Sequence, residues 1–423
     1  MEHRASSMEL AWKPEQRTKN EEQRTKNKEQ RTRNKEPTTI NNEDMRHHSL
    51  HRDFSFVREP GEFDKHTPPE RLQYCLGATL YMPGTRRILD KLLERRMGEL
   101  TSMVMCLEDA VDESKLPEAE SNVLDHLGAL GRALGEEKLP VGDLPLIFLR
   151  VRHPEQFTAL AARLEPIHAS ALTGFVFPKF YSSNAGRYFE VLKETNVRLG
   201  GSLYAMPILE GREIAYHETR AEELASLRAL LAPYRDLILN IRVGGTDFSS
   251  LFGVRRGISS SIYDILPVRD CLADILNAFN RVEEGYTVSA PVWEYFLAHK
   301  KDDLGDLLAE DLHRSLLNRT PILNEAVDGL LREVVLDKAN GFIGKTIIHP
   351  SHLRFVNAMQ AVTREEYEDA TQILGTSGGV VKSARGNKMN EINPHRSWAK
   401  RIAARADAFG VIEDEADYLK LFR

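Results

Sequence analysis

The chain has few cysteines and lacks long apolar runs. Its three cysteines, Cys75, Cys106 and Cys271, are odd in number and far apart. This spacing fits neither a disulfide framework nor a zinc knuckle, so we expect buried free thiols. No apolar run approaches the roughly 20 residues of a membrane-spanning helix, and the N-terminus is polar where a signal peptide has an apolar core. We therefore predict a cytoplasmic protein without a membrane segment.

A large excess of positive charge is also missing. With 57 Lys and Arg against 63 Asp and Glu, the formal net charge is −6. Phosphate recognition needs concentrated positive charge, so this composition argues against a general nucleic-acid binder. Any anionic ligand must be held by a few local cations. The content of 41% hydrophobic and 28% charged residues is typical of a globular protein with a substantial core.

Apolar residues are absent from a repeated segment near the N-terminus. Residues 15–35 are three consecutive copies of a seven-residue unit, EQRTKNE, EQRTKNK and EQRTRNK. A period of seven is common in coiled coils, but no position of this unit offers an apolar seam. We therefore predict that the segment is disordered.

From Leu76 onward, short apolar runs of β type alternate with longer helical patterns. This alternation is typical of repeated βα units and a parallel sheet. Eight runs qualify as strands: residues 78–82, 102–107, 146–151, 174–177, 203–208, 237–243, 286–290 and 345–349. Eight runs favour an α/β fold of the closed (β/α)8 or TIM-barrel type over an open sheet.

The remaining segments flank this barrel. We assign residues 1–70 to a disordered N-terminal extension, residues 71–362 to the TIM-barrel domain and residues 363–423 to a C-terminal helical tail or lid. The charged segment 299–340 exceeds the length of a standard barrel helix and is predicted to form one or two extra helices. A Gly/Ser-rich break at residues 375–379 precedes the last helix, which suits a lid or intersubunit arm about as well as a packing helix.

Polar residues follow the predicted strands directly. In a parallel barrel all strand carboxyl ends open on one face, so residues far apart in sequence converge on one pocket. The residues in these positions are Glu108, Asp109, Arg150, Arg152, Lys179, Glu210, Asp247 and His349. This distribution predicts a functional site at the carboxyl ends of the strands.

Two acids in this set suit a metal ion. Glu210 and Asp247 lie just beyond successive strands, in the turns ILEG and GGTD. Two hard oxygen ligands without a nearby His/Cys cluster suit Mg²⁺, which takes one or two protein carboxylates and completes its shell with water and substrate. The alternative is that either acid only caps the following helix. For the pair within the whole set, we favour the metal site.

Four further residues have candidate roles around that metal. Glu108 and Asp109 are expected to orient metal-bound water or a nearby cation, although one of them is in position to cap the next helix. Arg150 offers a planar fork for a substrate carboxylate and is preferred over Arg152. Lys179 is a charge partner either for a substrate carboxylate or enolate, or for Glu210 in a structural ion pair.

The last candidates are a glycine-rich turn and a histidine. Gly244 and Gly245 indicate that the backbone approaches a ligand closely, so they and Thr246 are predicted to bind substrate. His349, in IIHPS, is a candidate acid/base or carbonyl donor, and a buried histidine joining two loops is an equally good interpretation.

Seven motifs together resemble a known family. LYMPGTR, MCLEDAV followed by Lys115, FLRVR, FVFPK, PILEG, GGTDF and GFIGKTIIHPS occur in the order found in citrate lyase β-subunit-like members of the HpcH/HpaI aldolase superfamily. The similarity covers roughly residues 75–360 and is greatest to the C–C bond lyase subgroup associated with stress operons. It implies a TIM barrel that assembles into trimers or hexamers and a metal-dependent lyase, aldolase or thioesterase.

The resemblance also assigns residues. It places the family's metal-binding carboxylates on Glu210 and Asp247, its carboxylate-binding arginine on Arg150, and its LEDAV acids on Glu108 and Asp109. The segment that contains Glu391 is similar to a family tail that closes a neighbouring subunit's site.

The chain departs from its relatives at the start of the first strand. It has Gly77 and Ala78 where they commonly have an Arg-Ser pair, and Arg152 where they have Asn. The first change removes one anion-binding cation. The insertion at residues 299–340 and the long tail also differ from those of relatives, which puts a CoA-thioester substrate in doubt.

We therefore expect a Mg²⁺-dependent carbon–carbon lyase or aldolase. Its substrate is expected to be a small oxo- or hydroxy-carboxylic acid or its acyl-CoA thioester, reacting through an enolate that the metal stabilises. The alternative is a non-catalytic barrel that binds a small molecule or nucleotide in a stress-response assembly. A homo-oligomer is also expected, as the resemblance implies.

Overall fold

The computed structural model describes residues 45–296 and 325–423. Within them, seven strands form one parallel sheet in the order β6-β5-β4-β3-β2-β1-β7. The strands are β1 (Ala78–Pro83), β2 (Ser102–Cys106), β3 (Leu146–Arg150), β4 (Gly174–Phe177), β5 (Tyr204–Leu209), β6 (Arg242–Val243) and β7 (Lys345–Ile347). The repeated N-terminal segment lies outside the described residues.

The segment Tyr286–Ala290 joins the two edges of this sheet. Ile241 pairs with Val288 on one side, and Ala290 pairs with Lys345 on the other, both in parallel. Backbone hydrogen bonds support both contacts, because Ser289 N–H donates to Ile241 O at 2.8 Å and Thr346 N–H donates to Ala290 O at 3.2 Å. The segment thus takes the place of the seventh predicted strand and closes the barrel.

The TIM-barrel prediction is confirmed, with two differences in its strands. The predicted sixth strand, residues 237–243, is regular only at Arg242–Val243, and the predicted seventh forms isolated bridges. Residues up to Leu237 belong to a 3₁₀ helix, and Asn240 uses its side chain to donate to Thr287 Oγ1 at 2.9 Å. Local turn structure and side-chain bonding replace a continuous ladder here.

Helices surround the barrel and connect its strands. They are α1 (Pro69–Cys75), α2 (Leu89–Leu93), α3 (Leu116–Gly135), α4 (Pro154–Ala162), α5 (Pro166–Ala171), α6 (Ser182–Leu199), α7 (Arg212–Ala215), α8 (His217–Leu231), α9 (Gly245–Leu251), α10 (Leu266–Phe279) and α11 (Glu325–Ala339), followed by α12 (Leu353–Ala358), α13 (Arg364–Gly375), α14 (Ile392–Phe409) and α15 (Asp417–Leu421). Helix α11 is the described part of the predicted helical insertion. No helix in the described ranges is long and apolar enough to cross a membrane.

Strand alternation separates an outer and an inner layer of the core. Successive strand residues point to opposite faces, so every second residue packs against the helices and the others fill the barrel. An apolar cluster contains the inward residues Val104, Phe148, Val176 and Met206. Polar residues with the same alternation, among them Arg150 and Arg242, therefore point into the barrel.

Residues 45–70 pack against the rest of the chain, although they were assigned to the disordered extension. The His47 ring stacks on Phe409 at 4.2 Å, and Val57 N–H donates to Val411 O at 2.8 Å. Phe63 belongs to the same apolar cluster as the inward barrel residues. Burial of these aromatic side chains supplies the stabilisation that the purely polar repeat upstream lacks.

The C-terminal segment is folded around two helices. Helices α13 and α14 pack together, and the short strands β8 (Val362–Thr363) and β11 (Val411–Ile412) pair beside them. Between the helices, β9 (Val380–Lys382) and β10 (Met389–Glu391) form an antiparallel hairpin. Helix α14 also packs on α1, so it has the role of a packing helix within this chain.

Candidate functional site

A cavity of about 400 Å³ opens at the carboxyl ends of the strands. Seven of the predicted site residues line it: Asp109, Arg150, Glu210, Gly244, Gly245, Thr246 and Asp247. Its other lining residues include Tyr81, Cys106, Arg242 and Thr346, which come from different strands. The closed barrel therefore brings together side chains that are far apart in sequence.

The two candidate metal ligands converge beside Gly244. Glu210 follows β5 and is 3% exposed, and Asp247 lies in the first turn of α9. A Cβ at Gly244 would lie 2.5 Å from Glu210 Oε2 and 3.1 Å from Asp247 Oδ2. Only glycine leaves room for both carboxylates at this point, which explains the glycine in the GGTD turn.

The electrostatics of this pair indicate a deficit of positive charge. Burial, followed by the charge of Asp247, raises the pKa of Glu210 to about 8. Burial and the charge of Asp109 also raise the pKa of Asp247, while a hydrogen bond with Glu210 acts in the opposite direction. At pH values below about 8, a cation placed between the two acids would be needed for both to be ionised.

A second group of charges lies next to this pair and is internally compensated. Arg150 Nη2 lies 2.7 Å from Glu108 Oε2 and 3.4 Å from Asp109 Oδ2, and Lys179 Nζ pairs with Glu108. Burial raises the pKa of Glu108 although Arg150 opposes it, whereas for Asp109 burial is outweighed by Glu108 and Arg150 and the pKa is lowered. Burial alone would lower the pKa of Arg150, but Cys106 and Glu108 reverse the shift.

Lys179 contacts Glu210 through its backbone and not through its ammonium group. Its N–H donates to Glu210 Oε1 at 2.7 Å, while its side chain extends to Glu108 and Asp109. The proposed structural ion pair between Lys179 and Glu210 is therefore not formed. Lys179 has φ of 45°, an uncommon conformation for a residue with a side chain, and this conformation aims the N–H at the carboxylate.

His349 is not brought to the cavity. It lies beyond the end of β7, caps a short 3₁₀ helix by accepting from Ser351 N–H, and stacks on Phe296 at 4.6 Å. The cavity is lined instead by Thr346 and Ile348, the residues of inward alternation on that strand. This geometry corresponds to the alternative of a histidine that joins two loops.

Arg152 and Glu391 also have positions outside the cavity lining. Arg152 donates to Leu107 O at 3.2 Å and Val111 O at 2.7 Å, so it holds the loop that carries the two acids after β2. Glu391 is exposed at the start of α14. Gly77, where relatives carry a cation, has φ of +53° and leaves a Cβ only 2.5 Å from Asn357 Oδ1.

Sequence reasoning missed Arg242, Tyr81 and Thr346. All three line the cavity, and Arg242 Nη2 donates to Thr346 Oγ1 at 2.7 Å. The available signal was one arginine within the largely apolar run LILNIRV, at a position of inward alternation.

The donor set at the mouth of the cavity fits a magnesium ion. Within the described ranges, no group of three or more His, Cys, Asp or Glu side chains is arranged to hold a metal. Mg²⁺ does not need such a group, because it commonly binds through one or two carboxylates and retains water. Glu210 and Asp247 are two oxygen ligands whose raised pKa values would be relieved by a divalent cation.

Several solved structures are similar to this chain. CitE from Mycobacterium tuberculosis, solved with magnesium, acetoacetate and coenzyme A, is 18% identical with a TM-score of 0.48, over 79% of this chain and 99% of that chain. RipC from Yersinia pestis is 16% identical with a TM-score of 0.42, over 68% and 95%. Haloferax volcanii malate synthase is 17% identical with a TM-score of 0.43, over 66% and 71%.

None of these similarities is close enough to assign a function. No curated protein matches the chain. A family model described as C-C_Bond_Lyase of the TIM-barrel fold matches residues 70–411, which is most of the chain. The predicted relationship to carbon–carbon lyases is confirmed at this level, while the stress-operon subgroup stays a prediction. The chain belongs to the C–C bond lyase family of the TIM-barrel fold and is a carbon–carbon lyase.

Proposed function

We propose that this chain is a Mg²⁺-dependent lyase or aldolase that acts on a small oxo- or hydroxy-carboxylic acid, free or as its acyl-CoA thioester. The observation that carries the proposal is the convergence of Glu210 and Asp247 beside Gly244, at the carboxyl ends of the strands. Mg²⁺ bound by these two carboxylates would supply Lewis-acid stabilisation of the negative charge that develops on a substrate oxygen.

Arg150 orients the substrate in this proposal. Its Nη2 is held by Glu108 and its Nε donates to Cys106 Sγ at 3.2 Å, so the guanidinium is fixed before substrate binds. Nη1 remains available for a substrate carboxylate. A guanidinium held in place by its neighbours loses little entropy on binding, which favours one substrate orientation.

Lys179 contacts both the candidate metal ligand Glu210 and the acid pair Glu108 and Asp109. Its N–H fixes one oxygen of Glu210, and its ammonium group, paired with Glu108 and Asp109, provides positive charge near the position of the developing enolate. Fixed donors of this kind stabilise charge without reorganising during the reaction. Gly244, Gly245 and Thr246 form the wall of the cavity on that side.

His349 is a weaker candidate for the acid/base in this proposal. Its Nδ1 is engaged by Ser351, and its ring stacks on Phe296 away from the cavity lining. We therefore propose that the proton is transferred by a group within the cavity, with Asp109 as the exposed carboxylate closest to both Arg150 and Lys179. Assembly into a trimer or hexamer and a cytoplasmic location remain predictions.

The test is Mg²⁺-dependent turnover of a panel of small oxo- and hydroxy-acids and their CoA thioesters by the purified chain, followed by mass spectrometry. Asp247→Asn and Glu210→Gln are expected to lower turnover at least about 100-fold, as loss of a principal charge-stabilising group does. Glu283→Gln, an exposed acid at the opposite end of the barrel, is the matched control. Near-normal activity in either site variant contradicts the proposal, and binding without conversion favours the non-catalytic alternative.

A further inference from the structure

A second cavity lies at the opposite end of the barrel from the candidate site. It has a volume of about 680 Å³, and it is bounded by the C-terminal ends of α10 and α11 together with α13, α14 and α15. Residues 341–343 also line it, and they lead into the amino end of β7. The cavity is therefore at the amino ends of the strands, where the chain has no residue of the candidate site.

Three cations from two helices line this second cavity. Lys338 belongs to α11, and Arg401 and Arg405 belong to α14, so that together they form a basic cluster. No carboxylate of the described residues forms an ion pair with any of them. Their hydrogen bonds go to neutral oxygens, which are Tyr418 Oη at 3.3 Å from Lys338, Asn280 O at 2.7 Å from Arg401 and Gln360 O at 2.9 Å from Arg405.

The acids that line the second cavity do not balance the basic cluster. They are Glu366 and Glu415, and Oε2 of Glu366 already accepts from the N–H of Thr363 at 3.1 Å as part of the cap of α13. Burial, followed by the charge of Arg405, lowers the pKa of Lys338 to about 7, although both acids oppose the shift. A bound anion would favour the charged form of this lysine.

Arg405 also has a donor without an acceptor. Its side chain is almost completely buried, with the residue 7% exposed, and its Nε–H has no hydrogen-bond partner among the described residues. A buried N–H of this kind costs free energy unless an acceptor is supplied. Because Arg405 lines the second cavity, an anionic group bound there would supply one.

Much of the remaining wall of the second cavity is apolar. Trp398 is 38% exposed and lies one helical turn before Ile402 on α14, so an indole ring is accessible beside the basic cluster. A largely apolar wall with a few convergent polar groups is typical of a site for a small organic molecule. The apolar side chains of the wall are Val282, Val335, Phe342, Ile343, Trp398 and Ile402.

We propose that the second cavity is a binding site for an organic anion that carries a ring, with its acidic group at the basic cluster and its ring against Trp398. A guanidinium accepts a carboxylate or a phosphate equally well in geometry, and the flat face of an indole favours contact with another ring. This site does not include Glu210 or Asp247, so the inference is independent of the proposed function.

The test measures the binding of naphthalene probes to the full-length chain by calorimetry. EDTA is present throughout, so that a metal ion at the candidate site does not contribute. Naphthalene-1-acetate and naphthalene-1-acetamide have the same shape but differ in charge, and the wild-type protein is expected to bind the acetate about tenfold more tightly. 1-Naphthyl phosphate distinguishes the two kinds of acid: tighter binding than the acetate assigns a phosphate ester, and weaker binding assigns a carboxylate.

Variants locate the bound probe. Lys338→Met and Arg401→Met are each expected to remove most of the preference for the acetate over the amide. The matched control is Lys400→Met, which removes an exposed cation of α14 outside the cavity lining and should retain the full preference. Trp398→Ala should weaken the binding of acid and amide alike, by roughly threefold to tenfold, since it removes only the contact with the ring.

Two outcomes overturn the inference: equal affinity of the wild-type protein for the acetate and the amide, or a preference that persists in both Lys338→Met and Arg401→Met. Circular dichroism of each variant verifies that it is folded. If one of the two cation variants does not fold, the other one and Trp398→Ala decide the outcome.

Discussion

Two buried charge clusters in this molecule are built differently. On the outer face of the barrel, Lys345 of β7 donates to Glu333 Oε1 at 2.9 Å and to Asp337 Oδ2 at 2.8 Å, and Arg256 also pairs with Glu333. In the cavity, Glu210 and Asp247 face each other, while the partners of Arg242 are Thr79, Thr346 and Met206. The outer cluster pairs its charges with one another, whereas in the inner cluster two acids lie together and Arg242 has neutral partners.

The pKa shifts express the same difference. For Glu333, burial is outweighed by Lys345 and Arg256, so its pKa is lowered. For Glu210, burial is reinforced by Asp247 and the pKa rises to about 8. In the outer cluster, burial still raises the pKa of Asp337 to about 6, but Lys345 opposes the shift. In the inner cluster, burial and Asp247 raise the pKa of Glu210 together, and perturbed groups of this kind are frequent at functional sites.

The largest predicted effect on stability is in the outer cluster. Glu333→Gln leaves Lys345 and Arg256 buried without their shared carboxylate, which is expected to destabilise the fold by about 3 to 5 kcal/mol. Urea denaturation followed by circular dichroism measures this loss. Replacement of the exposed Glu283 by Gln is the control, and a Glu333→Gln protein with the stability of this control would show that the cluster is not structural.

Removal of a carboxylate charge from the inner cluster is predicted to have the opposite effect on stability. Glu210→Gln removes the buried one of two neighbouring carboxylates, so the metal-free protein should be more stable by about 1 kcal/mol, a usual gain when a functional site is relaxed. Differential scanning fluorimetry in EDTA checks the direction. A destabilised Glu210→Gln protein would mean that this carboxylate supports the fold.

The pH dependence of stability follows from the raised pKa of Glu210. Because the folded value of about 8 exceeds the ordinary value of 4.5, the folded state binds more protons than the unfolded state between these limits. The contribution of Glu210 is complete below pH 4.5 and is lost as the pH rises through about 8. In EDTA, the melting temperature should fall over this range more steeply for the wild type than for Glu210→Gln.

Mg²⁺ should change the pH dependence of stability. Binding requires both carboxylates to be ionised, so the stabilisation by Mg²⁺ is expected to increase as the pH rises toward 8. Melting temperatures with and without Mg²⁺ at a series of pH values measure the difference. If the increase in melting temperature caused by Mg²⁺ did not change with pH, a site made of these two acids would be contradicted.

The smallest effect is expected for an exposed ion pair. Arg364 and Glu413 approach to 2.7 Å, but both side chains are largely accessible to solvent. Solvent screens such pairs, so Arg364→Ala should leave the melting temperature unchanged within error. A clear loss of stability would show that burial is not what distinguishes the two clusters from surface pairs.

Much of the fold could be predicted from local sequence patterns. Alternation of apolar runs and amphipathic segments located all eight barrel strands, and the position of Glu210 and Asp247 after successive strands placed both at the cavity. The packing of residues 45–70 was missed because His47 and Phe63 are isolated aromatic residues in a polar segment. Their partners, such as Phe409, lie more than 300 residues away in the sequence.

The finer arrangement of the site was harder to predict from the sequence. An ion pair with Glu210 was one of the two roles predicted for Lys179, but the backbone at Lys179 is left-handed and its side chain pairs with Glu108. His349 follows a strand as the other candidates do, yet β7 ends at Ile347 and the chain turns before the histidine reaches the cavity.

By itself, the sequence determined which residues point inward, because strand alternation is a local property of neighbouring residues. It also determined the acids that follow the strands. Only the tertiary structure decided that Arg242 meets Thr79 and Thr346, and that no acid accompanies them among the described residues. The physical reason is that these contacts cross the barrel, and they depend on the register of strands whose closure is a property of the whole chain.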